Sequence, residues 1–103
     1  MPSNMIVSYD LHRGRTLSGE DYEPIERAIL AVDPNALKLL YTVWLIVTDW
    51  PVSFVHQHLL NTLTTDDRLL VVDATVNYYG AWLDAPITQA LERKWYRPLP
   101  YQL

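Results

Sequence analysis

The sequence contains no cysteine. Disulfide bonds, thiolate zinc sites and cysteine nucleophiles are therefore excluded, which fits a reducing compartment. Long hydrophobic runs are also missing: the longest, such as Val43–Val47 and Leu69–Val72, are far shorter than the roughly 20 residues that a transmembrane helix needs. The first residues carry no basic cluster and do not resemble a secretion signal, so we expect a cytoplasmic protein with no membrane span.

An excess of basic residues is lacking as well. Twelve acidic residues against eight basic ones give a net charge of −4, which opposes binding to a polyanion unless the basic residues cluster on one surface. Five of the eight fall in two short stretches, namely Arg13 and Arg15 in one and Arg93, Lys94 and Arg97 in the other. These five residues are the predicted nucleic-acid-binding set, and nucleic acid remains a candidate partner.

What the sequence has is enough apolar material for a core. It is 103 residues long, 50% hydrophobic and 12% aromatic, which is typical of one packed domain. Residues 1–83 are predicted to form the main fold. Residues 84–103 are predicted to add a helix and an extended arm to the same domain.

The hydrophobic periodicity predicts the order of elements. We expect a strand at 4–10, a helix at 22–32 capped by Asp21, two strands or one long bent strand within 36–48, a helix from Pro51 to about Leu63, and a strand at 68–75. The apolar run in the last of these is typical of a central strand that is covered on both faces. A short edge strand around Gly80 and a helix from Asp84 to about Trp95 are expected to follow.

This order predicts an α+β fold of the ferredoxin-like βαββαβ type. Its four-stranded antiparallel sheet would carry two helices on one face, with the C-terminal edge strand and helix as an extension. Both faces of residues 43–48 are apolar, so the second face needs a cover, and we expect a homodimer. The aromatic residues predicted at the dimer interface are Trp44, Tyr78, Tyr79 and Trp82. The alternative for them is stacking on nucleic-acid bases.

Three segments resemble a known family. Met5–Leu11 resembles the opening strand of the small CRISPR-associated nuclease family whose dimer assists spacer integration. Thr42–Leu45 is similar to a segment of that family, and Arg68–Val72 stands where the family has its fourth strand. The chain is most similar to the stand-alone bacterial proteins of the SinR family that are grouped with these nucleases, on the segments 8–11, 21–24 and 43–46.

The resemblance implies a homodimer in which two copies of Asp10 meet across the two-fold axis and hold Mg²⁺ or Mn²⁺. It also implies metal-dependent cleavage of RNA or DNA phosphodiester bonds, with Asp10 as the catalytic and metal-binding residue. A carboxylate is a hard ligand suited to such cations. The alternative for Asp10 is a structural role, in which it accepts backbone hydrogen bonds from the following loop.

Two other functions stay open for the whole chain. The first is a non-catalytic homodimeric interaction or scaffold module. The second is an RNA-cleaving toxin-like protein, because toxins related to the same family cleave RNA on the same fold.

Overall fold

A computed structural model describes residues 2–12, 22–75 and 79–96. Within them lie four strands and three helices. In chain order the elements are β1 (Ser3–Asp10), α1 (Glu23–Val32), β2 (Leu37–Leu40), β3 (Val43–Thr48), α2 (Val52–Leu60), β4 (Arg68–Asp73) and α3 (Ala85–Trp95).

The strands form one antiparallel sheet in the order β2-β3-β1-β4. The α+β class, the βαββαβ order and the C-terminal helix are confirmed. Residues 36–48 form two strands and not one bent strand. The predicted edge strand is absent from residues 79–83, while Tyr78 lies outside the described residues.

Helices α1 and α2 cover the first face of the sheet. Alternate residues of β1, namely Met5, Val7 and Tyr9, point to this side and are buried. They pack with the apolar stripes of the two helices, whose buried members include Ile25, Ile29, Val55 and Leu59. The expected helix-facing side of the sheet is therefore observed.

Helix α3 covers part of the second face. Its Leu91 and Trp95 pack against Leu45 and Ala74 of the sheet in a second, smaller apolar cluster. The cover that we expected from a partner chain is thus supplied in part by the chain itself. No helix in residues 2–12, 22–75 or 79–96 is long and apolar enough to cross a membrane.

The predicted central position of β4 is wrong. This strand lies at the edge of the sheet, beside β1. Leu70 is 60% exposed and Val72 is also exposed, because α3 does not reach over them. Their side chains alternate with those of Leu69 and Val71, which pack on the main core.

Two helix boundaries differ from the prediction. The residue that precedes α1 as its N-cap is Tyr22, whose side chain makes no capping hydrogen bond, while Asp21 lies outside the described residues. Helix α2 ends at Leu60 because the next amides bond three residues back, with Leu63 N donating to Leu60 O (3.0 Å). Such tight turns are common where a helix ends.

Candidate functional site

The part of the second face that α3 leaves uncovered lies where β1 ends and β4 begins. The strand register places the second-face residues of this part next to one another. We call them the open half-face: Ser8, Asp10, Leu40, Val43, Arg68 and Leu70. Leu40 is 56% exposed and Leu70 is 60% exposed, so this region presents apolar side chains to solvent.

Asp10 is the last residue of β1 and lies opposite Arg68 of β4. It is exposed and lines a shallow cavity of about 170 Å³ together with Ser8, Arg68 and Leu70. Within the described ranges its carboxylate makes no hydrogen bond and no ion pair. The carboxylate can therefore accept an external partner.

Arg68 supplies the opposite charge at the same end of the sheet. Its Nη1 donates to the carbonyl oxygens of Thr65 (3.2 Å) and Asp67 (2.9 Å). These bonds hold the guanidinium in place without neutralising it, since no carboxylate of residues 2–12, 22–75 and 79–96 pairs with it. One negative and one positive group thus lie side by side, each without a charged partner.

Asp67 holds the two chain segments that carry these charges. It is only 7% exposed. Its Oδ1 accepts from the backbone N–H of His12 (2.7 Å), and its Oδ2 accepts from the backbone N–H (2.9 Å) and hydroxyl (3.1 Å) of Thr64. The residues just after Asp10 are therefore tied to the turn just before Arg68.

Sequence reasoning missed this role of Asp67. The signal in the sequence is the spacing of Thr64 and Asp67, because an aspartate three residues after a threonine can accept from the backbone N–H and hydroxyl of that threonine.

The predicted nucleic-acid-binding residues are not brought together at Asp10. Arg13, Arg15 and Arg97 lie outside the described residues, and Arg93 is exposed on α3. Lys94 is 17% exposed in its side chain and forms an ion pair with Asp33 (2.9 Å).

The ion pair of Lys94 also fixes its position relative to the open half-face. Asp33 Oδ2 accepts from the backbone N–H of Val47 (2.9 Å), and Val47 pairs with Asn4 near the start of β1. Asp10 ends that strand, about 20 Å further along at 3.3 Å per residue. A phosphate contact by Lys94 would therefore be remote from Asp10 and would compete with Asp33.

The predicted interface aromatics fall in three different environments. Trp44 is 7% exposed on the helix-covered face, and its Nε1 donates to the Tyr9 hydroxyl oxygen (3.2 Å). It is a core residue, so its assignment to the dimer interface is corrected. Tyr79 is half-buried, with ring centroids 5.1 Å from Trp95 and 5.9 Å from Tyr96. Tyr78 lies outside the described residues.

Trp82 is the one predicted interface residue of the described set that is fully available to a partner. It is 99% exposed. It stands at the edge of an apolar cavity that also includes Leu40 and Val43 of the open half-face.

The described residues of one chain do not form a site for a divalent cation. In the described part of the chain no three His, Asp or Glu side chains lie close enough together to hold a metal ion. Asp10 contributes one carboxylate, while six or more oxygen ligands are usual for Mg²⁺ or Ca²⁺.

The comparisons with known proteins give no relative from which a role could be transferred. No protein-family model matches the chain, and no curated protein matches it either.

Proposed function

We propose that this chain is a homodimeric interaction module whose two copies meet through the open half-face. The observation that carries this proposal is the exposure of Leu40 and Leu70 at 56% and 60% on the second face of the sheet. Apolar patches of this kind mark interaction sites more often than they remain in water.

A second copy is favoured as the partner because the patch is complementary to itself. Asp10 and Arg68 lie side by side with opposite charges and no charged partner within the described residues. A two-fold axis through the patch would bring each group towards the opposite charge of the other copy. The apolar residues beside this pair, such as Leu70, would be buried by the same contact.

The test is the mass of the protein in solution. We expect light scattering to give twice the 12.0 kDa of one chain. Leu70→Lys should give the mass of one chain, because it places an ammonium group in the apolar contact. Leu60→Lys is the matched control, since Leu60 is also exposed but lies on α2. A wild-type mass of one chain at all concentrations contradicts the proposal.

A second candidate function is cleavage of RNA or DNA phosphodiester bonds by a homodimer that resembles the CRISPR-associated nucleases. The observation that favours it is the exposed Asp10 carboxylate without a partner in the described residues, beside Ser8 and Arg68 in one shallow cavity. Two copies would supply two Asp10 carboxylates for Mg²⁺ or Mn²⁺, and Arg68 offers a guanidinium that matches phosphate oxygens.

This second function predicts that the protein cleaves RNA or double-stranded DNA only with Mg²⁺ or Mn²⁺. It also predicts that Asp10→Ala abolishes cleavage. Asp66→Ala is the control, because Asp66 is an exposed carboxylate in the turn before β4. Absence of cleavage with both metals leaves the interaction module as the function. Growth arrest on expression that Asp10→Ala relieves would identify the RNA-cleaving toxin instead.

A further inference from the structure

An apolar cavity lies between the second face of the sheet, α3 and residues 79–83. It has a volume of about 410 Å³, which is within the range of about 300–1,000 Å³ that ligand pockets occupy. None of the described residues that line it is charged. Its wall combines sheet residues such as Ile6 and Leu40 with Leu91 and Trp95 of α3.

Trp82 projects from the rim of this cavity. Its backbone belongs to the lining segment, yet its side chain is 99% exposed. A fully exposed indole is unfavourable in water, because a Trp side chain gains by burying on the order of 150–250 Å². The same surface therefore carries an uncovered aromatic group and an unfilled apolar cavity.

We infer that Trp82 of each copy inserts into this apolar cavity of the other copy. The inference rests on the proposed homodimer and names its anchor. In a dimer with a two-fold axis near the rim, each Trp82 would enter the cavity of the other copy. This is possible because the same surface carries both Trp82 and the cavity.

The lining chemistry suits an indole. The described residues that line this cavity are apolar or aromatic, with no charged side chain among them, and such a wall can bury the large apolar surface of an indole. Aromatic side chains in desolvated pockets are also the usual hot spots of interfaces.

The contact that Trp82 would make is adjacent to the proposed contact across the open half-face. Leu40 and Val43 belong both to the open half-face and to the cavity wall. The open half-face alone exposes few large side chains, while stable interfaces bury about 1,200–2,000 Å² in total. Two inserted indoles would add roughly 300–500 Å² of side-chain area to the buried surface.

The experiment measures dimer dissociation constants by sedimentation. Trp82→Ala should weaken the dimer by about 100-fold or more, since it removes two anchors. Phe54→Ala is the matched control, because Phe54 is an exposed aromatic residue on α2, and it should leave the constant within about threefold. Thermal unfolding of each variant checks that the fold is retained, which is expected because both side chains are exposed.

A mixture of two variants tests the reciprocal contact directly. Leu40→Lys places a charge in the cavity wall and should weaken the dimer as Trp82→Ala does. In an equimolar mixture, the intact Trp82 of the Leu40→Lys chain can enter the unaltered cavity of the Trp82→Ala chain. Random pairing alone gives twice as much heterodimer as either homodimer, so native mass spectrometry should show a heterodimer share well above this twofold ratio.

The outcomes distinguish the insertion of Trp82 from the formation of the homodimer. If Trp82→Ala dimerises as tightly as the wild type, or if the mixture gives no preference for heterodimer, the anchor is overturned and the homodimer stands. If the wild type is a monomer at every concentration, both are overturned. Binding of 8-anilinonaphthalene-1-sulfonate to such a monomer, lost in Leu40→Lys, would assign the cavity to a small apolar ligand.

Discussion

Tyr9 shows how strongly one buried side chain depends on its surroundings. Burial raises the pKa of Tyr9 to about 12, although the hydrogen bond from Trp44 acts in the opposite direction. In the unfolded chain a tyrosine loses its proton near pH 10. Because the folded protein keeps Tyr9 protonated, the free energy of unfolding keeps its full value below about pH 10. It falls as the pH rises towards about 12, where the unfolded chain loses this proton and the folded protein still holds it.

We expect Tyr9→Phe to remove this pH dependence. Between about pH 9.5 and 12 the wild type should lose on the order of 2 kcal/mol more unfolding free energy than Tyr9→Phe does. Urea denaturation over this pH range measures the difference. Tyr41→Phe is the control, because Tyr41 is exposed, and it should keep the wild-type slope. Equal slopes for wild type and Tyr9→Phe would contradict the assignment.

The position of an individual residue was predictable where the strand around it has only one apolar face. Alternation along β1 placed Asp10 at the strand end without ambiguity. Trp44 was misassigned because β3 is apolar on both faces, so alternation does not say which face the helices cover. The partners of Lys94 were not predictable either, since Asp33 approaches it only after α3 has docked.

At the scale of elements, α3 depends on polar contacts with the rest of the fold. Lys94 Nζ contacts Asp33 Oδ2 (2.9 Å) and donates to the Asn35 carbonyl oxygen (2.8 Å). At the end of the helix, Asn4 Nδ2 donates to the Trp95 carbonyl oxygen (3.3 Å). These bonds fix the register of α3 on the second face, while its apolar residues provide the contact area.

We expect Lys94→Met to destabilise the fold by about 1–3 kcal/mol, because Asp33 would remain buried with an unpaired charge. Amide hydrogen exchange should rise first in α3. Arg93→Met is the matched control, since Arg93 is exposed on the same helix, and it should change stability by less than about 0.5 kcal/mol. Unchanged exchange in α3 of Lys94→Met would show that the apolar contacts alone hold the helix.

The elements themselves were largely predictable. The helical spacing of Ile25 and Ile29 and of Val55 and Leu59 identified the buried stripes of α1 and α2. The position of β4 in the sheet was not predictable. An apolar run such as Leu69–Val72 is equally compatible with a central strand and with an edge strand whose outer face is exposed. Exposure of Leu70 distinguishes the two cases.

At the scale of the whole molecule, the second face is divided into two halves with different covers. One half lies under α3, with Leu45 buried beneath Leu91 and Trp95. The other half leaves Leu70 exposed beside the charges of Asp10 and Arg68. This division explains how a single packed fold can still leave apolar side chains such as Leu70 exposed to solvent.

The sequence by itself determined the order and type of the four strands and three helices and the acidic end of β1, because hydrophobic periodicity is a local property of neighbouring residues. Only the tertiary structure decided that α3 shares the second face, that β4 lies at the edge, and that Trp82 is exposed beside an apolar cavity. These features depend on contacts between residues far apart in the chain, which local patterns do not encode.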